Sequence, residues 1–267
     1  MRWVLLFLMM PLAALAQDRR PSHCIALAET PGIEYIHRAA FGEALDDYTV
    51  RLSYIAHATF ILETSGGLTA ATDYTGFFGV RDFVPDVVTM NHAHSSHWTP
   101  SPDPRIKHVL RGWQQEHHLD LGEMLVRNVA TDIRGQFSGD VEEDGNSIFV
   151  FEVAGLCIGH LGHLHHEPDQ AQYAALGRLD VVMAPVDGGL TLDLPTMVKV
   201  LKRLKSSVVI PMHWWADGSL GRFVAGMADE FAIDRRTDSS LEVSLRTLPR
   251  RPTVITLRPA YLRAPIE

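Results

Sequence analysis

Three histidines fall within six positions in Met90-Asn91-His92-Ala93-His94-Ser95-Ser96-His97. The apolar run Phe83 to Met90 leads into them and reads as a buried strand entering a loop. In extended backbone, residues two apart project to the same face. His92 and His94 therefore aim at one point, and His97, after the chain turns, at a neighbouring one. Two further apolar strands end the same way, in Gly159-His160-Leu161-Gly162-His163-Leu164-His165-His166 and in Ile210-Pro211-Met212-His213-Trp214-Trp215. Crowding imidazoles at strand ends has no structural benefit, because protonated rings repel and neutral rings need hydrogen-bond partners. A shared metal ion removes both problems. Imidazole nitrogens suit zinc, iron, copper or nickel and not magnesium or calcium, which take oxygen ligands. The expected ligands are His92, His94, His160 and His213, with His97 and His163 next; His165 and His166 are either ligands, supports behind them, or surface.

Strands must carry these residues. Thr49 to Ile55 alternates apolar Val50, Leu52 and Tyr54 with polar Arg51 and Ser53. Strands at 59–63 and 68–72 flank the turn Ser65-Gly66-Gly67. Residues 86–91 feed the first histidine group, and Thr99 to Pro104 is a loop by its prolines. Short strands are expected at 106–110 and 124–129, then an acidic, turn-rich stretch at 139–146. A hairpin of 147–153 with 155–159 ends in the second histidine group. A helix is expected from 167 to about 176 and a strand at 180–185. Asp193 then caps a helix with Pro195 in its first turn, and its apolar face is Leu194, Met197, Val198, Leu201 and Leu204. A strand at 207–212 ends at His213, a second amphipathic helix spans 220–231, and strands at 241–248 and 254–257 follow. Strands first, then strand–helix alternation, with no internal repeat, fits two mixed sheets face to face with helices outside.

Arg2, an apolar run from Val4 to Leu15, and Ala14-Leu15-Ala16 form a secretory signal pattern, with cleavage expected before Gln17. This predicts a secreted or periplasmic protein with a signal peptide at 1–16, an irregular lead-in at 17–47 and one domain over 48–267, without stable membrane association after cleavage. The formal charge of −8 argues against nucleic acid or an anionic membrane surface as partner and leaves a small-molecule substrate. Two cysteines exclude a disulfide framework; export permits a Cys24–Cys157 disulfide, but Cys157, inside an apolar strand, reads as a buried thiol.

The chain resembles the metallo-β-lactamase superfamily, nearest the lactonase- and phosphodiesterase-like branch that includes L-ascorbate-6-phosphate lactonase. Tyr54-Ile55-Ala56-His57-Ala58-Thr59-Phe60 is similar to the early Gly-His-Ala/Ser strand, with Ala56 for glycine. Thr72-Asp73 stands where that branch has Thr-Asp-Pro, with Tyr74 for proline. His92-Ala93-His94-Ser95-Ser96-His97 matches His-x-His-x-Asp-His except at Ser96. Gly159-His160-Leu161-Gly162 is similar to Gly-Asp-x-Gly with His160 for aspartate, and Pro185-Val186-Asp187-Gly188-Gly189 and Pro211-Met212-His213 follow at the expected spacing. The resemblance covers about 49–215 and implies an α/β (α+β) four-layer αββα sandwich of two mixed sheets. It also implies that both metal-binding aspartates of the family are replaced, and that Asp132 or His108 stands in for a further missing histidine.

The resemblance and the histidine clusters together predict a metal-dependent hydrolase holding one or two zinc ions, with iron, manganese, nickel or copper as other occupants. Its metal-bound hydroxide would attack a lactone, ester, amide or phosphoester. His57 and Asp73 form a pair that orients a ligand, unless Asp73 only shapes its turn; Asp187 is general base, ligand or plain turn aspartate. Trp214 and Trp215 either wall a substrate pocket or pack on the sheet. The competing classes are a silent metal- or ligand-binding protein on the same fold and a redox metal enzyme.

Overall fold

Alternation of apolar side chains builds two sheets whose inner faces share one core. In the computed structural model, residues 20, 22–26, 41–92, 94–135, 140–215 and 217–263 are described; the expected signal segment lies outside them. In chain order the elements are α1 (His23–Ala26), β1 (Val50–Ala56), β2 (Thr59–Thr64), β3 (Thr69–Ala71), β4 (Val87–Met90), β5 (His108–Arg111) and β6 (His118–Asp120). Then come β7 (Met124–Arg134), β8 (Val141–Val153), β9 (Leu156–His160), α2 (Gln170–Leu176), β10 (Val181–Pro185), α3 (Leu194–Leu204) and β11 (Val208–Met212). The chain closes with α4 (Asp217–Met227), β12 (Ala232–Arg235), β13 (Ser240–Val243) and β14 (Thr253–Thr256). One sheet has the order β13-β1-β2-β3-β4-β5, the other β12-β14-β11-β10-β9-β8-β7-β6. Both are mixed: β1–β2 and β7–β8 are antiparallel, whereas β3–β4 and β10–β11 are parallel.

Leu52, Tyr54, Phe60 and Leu62 from one sheet meet Phe149, Phe151, Ile158 and Met183 from the other. The outer face of the second sheet, with Val150, Cys157, Val182 and Val209, is covered by Met197 and Leu201 of α3 and Phe223 and Val224 of α4. Asp193 accepts the Thr196 N–H at 3.0 Å and caps α3, with Pro195 in the first turn as expected. On the far face of the six-stranded sheet, Ile55, Ile61, Val88 and Met90 are covered by irregular chain carrying Tyr74, Phe78 and Ile106. The fourth layer is therefore loop rather than helix among the described residues.

Several expectations change. Residues 141–146, read as turn, extend β8 because they pair with β7 across Ile133↔Glu142 and Arg134↔Val141. The strand expected to reach 248 stops at Val243, where Ser244 and Thr247 close a turn (Thr247 N–H to Ser244 O, 3.0 Å). β6, β12 and α1 are not legible in the sequence; they are three or four residues long, too short to show periodicity. Cys157 is not a thiol: it is disulfide-bonded to Cys24. Leu156 and Ile158 point between the sheets, so Cys157 points outward, where α1 brings Cys24 to a Cα–Cα distance of 5.8 Å. Glu152, fully buried, anchors the same segment by accepting from the Ser22 hydroxyl, the His23 N–H (3.0 Å) and Arg127 Nε (2.7 Å).

Candidate metal centre

The ends of β1, β3, β4, β9, β10 and β11 deliver His57, Asp73, the His92–His97 loop, His163, Asp187 and His213. His57, Asp73 and His213 sit at φ values of 45°, 43° and 55°. A left-handed backbone at a non-glycine residue costs about 1–3 kcal/mol, so local bonds must hold each one. The His57 carbonyl accepts from Tyr54 Oη (2.7 Å) and from the His213 N–H (2.8 Å), tying β1 to β11 at the site. The Asp73 carbonyl accepts from Thr59 Oγ1 at 2.8 Å. Gly162 has φ +61°, and a Cβ there would lie 2.1 Å from Asn91 Nδ2 and 2.7 Å from Asn146 Oδ1. This close approach lets the His163 N–H reach Asn146 Oδ1 at 2.8 Å.

Two imidazoles carry a carboxylate on one nitrogen and face each other with the other. Asp73 Oδ2 lies 2.6 Å from His97 Nδ1, while Asn91 donates its N–H to Asp73 Oδ1 (3.1 Å) and its amide to Oδ2 (2.8 Å). Asp187 Oδ2 lies 2.9 Å from His213 Nδ1, off the ideal hydrogen-bond direction. The Asp187 carboxylate also accepts the N–H groups of Gly189, Leu190 and Thr191 at 2.9, 2.6 and 3.1 Å and the Thr191 hydroxyl at 2.5 Å. Across the gap, His97 Nε2 and His213 Nε2 are 3.2 Å apart, and His163 Nδ1 is 2.9 Å from His97 Nε2. The donor atoms of His57, His97 and His213 lie within 4.8 Å of one another, and His57 Nε2 is buried without a partner.

Electrostatics explain why these rings need something between them. Burial pushes His57 down to about 3, reinforced by His213 and His97. Burial likewise pushes His163 and His97 well below the usual imidazole range, and each lowers the other or is lowered by His213. His57, His97 and His163 are therefore neutral, and because Nδ1 of both His97 and His213 faces a carboxylate, the Nε2 atoms of these two rings are turned toward each other. Burial also pushes Asp73 up to about 7, against the pull of His160 and the Asn91 N–H. Burial raises Asp187 too, but its contacts with His213, Thr191 and Gly189 hold it well below the usual carboxylate range. A cation between the two Nε2 atoms satisfies both and favours a charged Asp73. The all-nitrogen donor set, the facing Nε2 atoms and the orphaned His57 Nε2 therefore fit a borderline transition metal such as zinc.

The remaining expected residues are placed differently. His92 Nδ1 donates to Gly145 O at 2.6 Å and His94 Nδ1 contacts Ser96 Oγ at 2.9 Å, so each leaves Nε2 free at the rim. Their rings stand 6.3 and 5.6 Å from that of His163. His160 does not enter the cluster as expected. Strand alternation turns its ring between the sheets with Ile158, where Nε2 bonds Ala58 O at 2.8 Å and lies 4.0 Å from Asp73. Asp187 is engaged on both oxygens, which argues against a general base or a ligand and for an anchor of His213. Asp132 accepts the Asp144 N–H at 3.0 Å within the β7–β8 hairpin, and His108 sits on the edge strand β5. His165 accepts the Arg134 N–H on Nδ1 (3.0 Å), so its neutral form keeps its proton on Nε2 and offers no lone pair there. His117 bonds Arg111 O, away from the cluster. Sequence reasoning missed Asn91 and Asn146; Asn91 directly precedes His92 at the strand end, which was its one signal.

Two facing mixed sheets with a histidine-rich site at their strand ends define a metallo-β-lactamase architecture. The family profile described as "Beta-lactamase superfamily domain" matches residues 51–213, and the chain belongs to the metallo-β-lactamase superfamily. It is 25% identical over 190 residues to a UPF0173 metal-dependent hydrolase of Pyrococcus horikoshii, covering 62% of this chain and 84% of that protein. Among solved structures it is similar to an inferred Zn-dependent hydrolase of the superfamily from Thermotoga maritima, with 25% identity and a TM-score of 0.57, covering 78% of this chain and 98% of the other. The Igni18 metallo hydrolase of Ignicoccus hospitalis shares the fold at 18% identity and a TM-score of 0.51, covering 68% and 91% of the two chains.

Proposed function

We propose that this chain is an exported metal-dependent hydrolase whose zinc ion is held by His97, His213 and His163, with His57 completing the donor set and His92 and His94 on the open side. The facing Nε2 atoms of His97 and His213, 3.2 Å apart and each backed by a carboxylate, carry this reading. A divalent ion there supplies Lewis acidity to a carbonyl or phosphoryl oxygen and acidifies water. The protein's own part is to present unprotonated nitrogens. Asp73 and Asp187 hold the Nδ1 side of two rings, which fixes tautomer and direction and raises donor basicity. Asn91 fixes Asp73, and Asn146 with Gly162 fixes His163. The substrate is a small molecule with a lactone, ester, amide or phosphoester bond; the branch whose motifs the chain resembles holds lactonase- and phosphodiesterase-like hydrolases. The N-terminal apolar run and the Cys24–Cys157 disulfide support export, since structural disulfides persist in oxidising compartments.

Elemental analysis of the purified full chain, with turnover on a panel of lactones, esters, amides and phosphodiesters, tests the reading. Roughly one zinc per chain with turnover is expected. Bound metal with no turnover on any panel member would sink the hydrolase assignment, and stoichiometric iron or copper would point to redox chemistry instead.

A further inference from the structure

Trp215 is 69% exposed although it lies two residues from His213, in the loop that closes β11. One face of its indole packs on His57, with ring centroids 4.4 Å apart, and its ring centroid lies 6.3 Å from that of His213 in an edge-to-face arrangement. Its neighbour Trp214 is half-buried, packed against the core beneath the helices. A second large apolar side chain, Leu190, is 60% exposed in the loop whose N–H groups hold Asp187. Both loops that fix His213 thus offer bare apolar surface beside a polar donor cluster. The cation placed over Trp214, Arg258 (5.7 Å from the ring centroid), bonds Asp217 at 3.4 Å. Among the described residues no lysine or arginine side chain hydrogen-bonds to the cluster, and Arg134 directs its guanidinium to the carbonyls of Thr191 (2.9 Å) and Gly189 (3.4 Å). A fixed guanidinium fork is the usual grip on phosphate or carboxylate.

We infer that Trp215 is the specificity-determining residue of this site, stacking a flat apolar group of an uncharged substrate, so that aryl lactones and aryl esters are preferred over alkyl ones and over phosphodiesters. The inference rests on the proposed hydrolase reading. An exposed indole presents a large rigid apolar face at low entropic cost, and aromatic stacking adds to simple area burial. His57 occupies one indole face, so a substrate ring stacks on the other, exposed face, in the loop that carries His213.

The test uses metal-loaded full-length wild type, Trp215→Ala and Trp215→Phe, with dihydrocoumarin, γ-butyrolactone and bis(4-nitrophenyl) phosphate. Comparing ratios across variants cancels the intrinsic reactivity of each substrate. Trp215→Ala is expected to lower kcat/KM for dihydrocoumarin by about fivefold to tenfold, mostly through KM, and for γ-butyrolactone by less than about threefold, while Trp215→Phe keeps most of the aryl preference. Equal losses on both lactones, or a phosphodiester as the best substrate, would overturn it. If wild type hydrolyses nothing, the hydrolase reading fails and Trp215 is judged by fluorescence titration with 4-nitrobenzamide. Saturable quenching of the wild type that disappears in both Trp215→Phe and Trp215→Ala upholds the stacking site; quenching that persists unchanged in either variant rejects it.

Discussion

The histidines form two regions that differ in what stands behind each ring. In the inner region, His97 and His213 are buried and turn Nδ1 to the carboxylates of Asp73 and Asp187. In the outer region, His92, His94 and His165 are half-buried, and their Nδ1 atoms meet a carbonyl, a hydroxyl and a backbone N–H. The same side chain therefore has three dispositions. Backed by a carboxylate it is a basic donor of fixed direction; backed by a carbonyl or hydroxyl it is a weaker one; facing an N–H it is a proton donor. The superfamily motif is strongest in the sequence at His92-x-His94, yet it is His57, His97 and His213 whose donor atoms lie within 4.8 Å of one another. At the rim the neutral Ser96 hydroxyl stands behind His94, whereas the carboxylates of Asp73 and Asp187 stand behind the inner pair.

The largest expected effect breaks the inner region. His97→Ala with His213→Ala is expected to remove metal from the purified protein and reduce kcat/KM by more than about 10³-fold. His92→Ala with His94→Ala is expected to retain metal while weakening turnover. Elemental analysis of both double variants decides the matter; metal kept by the first pair and lost by the second inverts the assignment.

Removing the carboxylates while keeping the rings tests the backing itself. Asp73→Asn and Asp187→Asn are expected to lower metal affinity by about 10- to 100-fold, measured by competition with a chromophoric chelator. Asp73 is fully buried and bonded to Asn91 and His97, and the Asp187 side chain is only 4% exposed and holds its own loop, so each replacement also costs stability.

Metal-free protein sharpens the comparison through pH. His57 falls to about 3 and His165 to about 4 in the folded state, both chiefly by burial, so the unfolded chain binds more protons at those rings as pH drops below their ordinary value of 6.5. Asp73, raised to about 7 by burial, acts oppositely: the folded state holds its proton between about 4 and 7. Two rings against one carboxylate, with His92, His97 and His163 also lowered, leave the unfolded state with the proton excess. Stability of the metal-free protein should thus rise with pH from about 4 to 6.5. Urea midpoints across that window check it, and a falling midpoint would show that Asp73 outweighs the histidines.

Much of the fold is legible in the residues themselves, and the limits have physical causes. Apolar runs ending in histidine mark the strand ends, and Asp193 with Pro195 marks the start of α3, because period and capping are local. Which rings converge is not local. His57 and His213 turn inward on left-handed backbone that no glycine announces, and the bonds that hold it come from Tyr54 and from the opposite sheet. His160 looks like a ligand beside His163, yet strand alternation commits it to the space between the sheets. The Cys24–Cys157 disulfide spans 133 residues and is invisible to any spacing rule.

The smallest expected effect concerns Ser96. Among the described residues its hydroxyl is the group that stands behind His94 Nδ1, and it is neutral. Ser96→Ala removes a single partly exposed hydrogen bond, worth about 1 kcal/mol, which limits the change in metal affinity to about fivefold. Asp73→Asn removes a charge and leaves a buried ring unsupported, so the two substitutions should differ by at least about tenfold in the same chelator competition. A Ser96→Ala loss equal to that of Asp73→Asn would mean that the rim rings hold the metal as firmly as the buried ones, and the distinction between carboxylate-backed and hydroxyl-backed histidines would not describe this site.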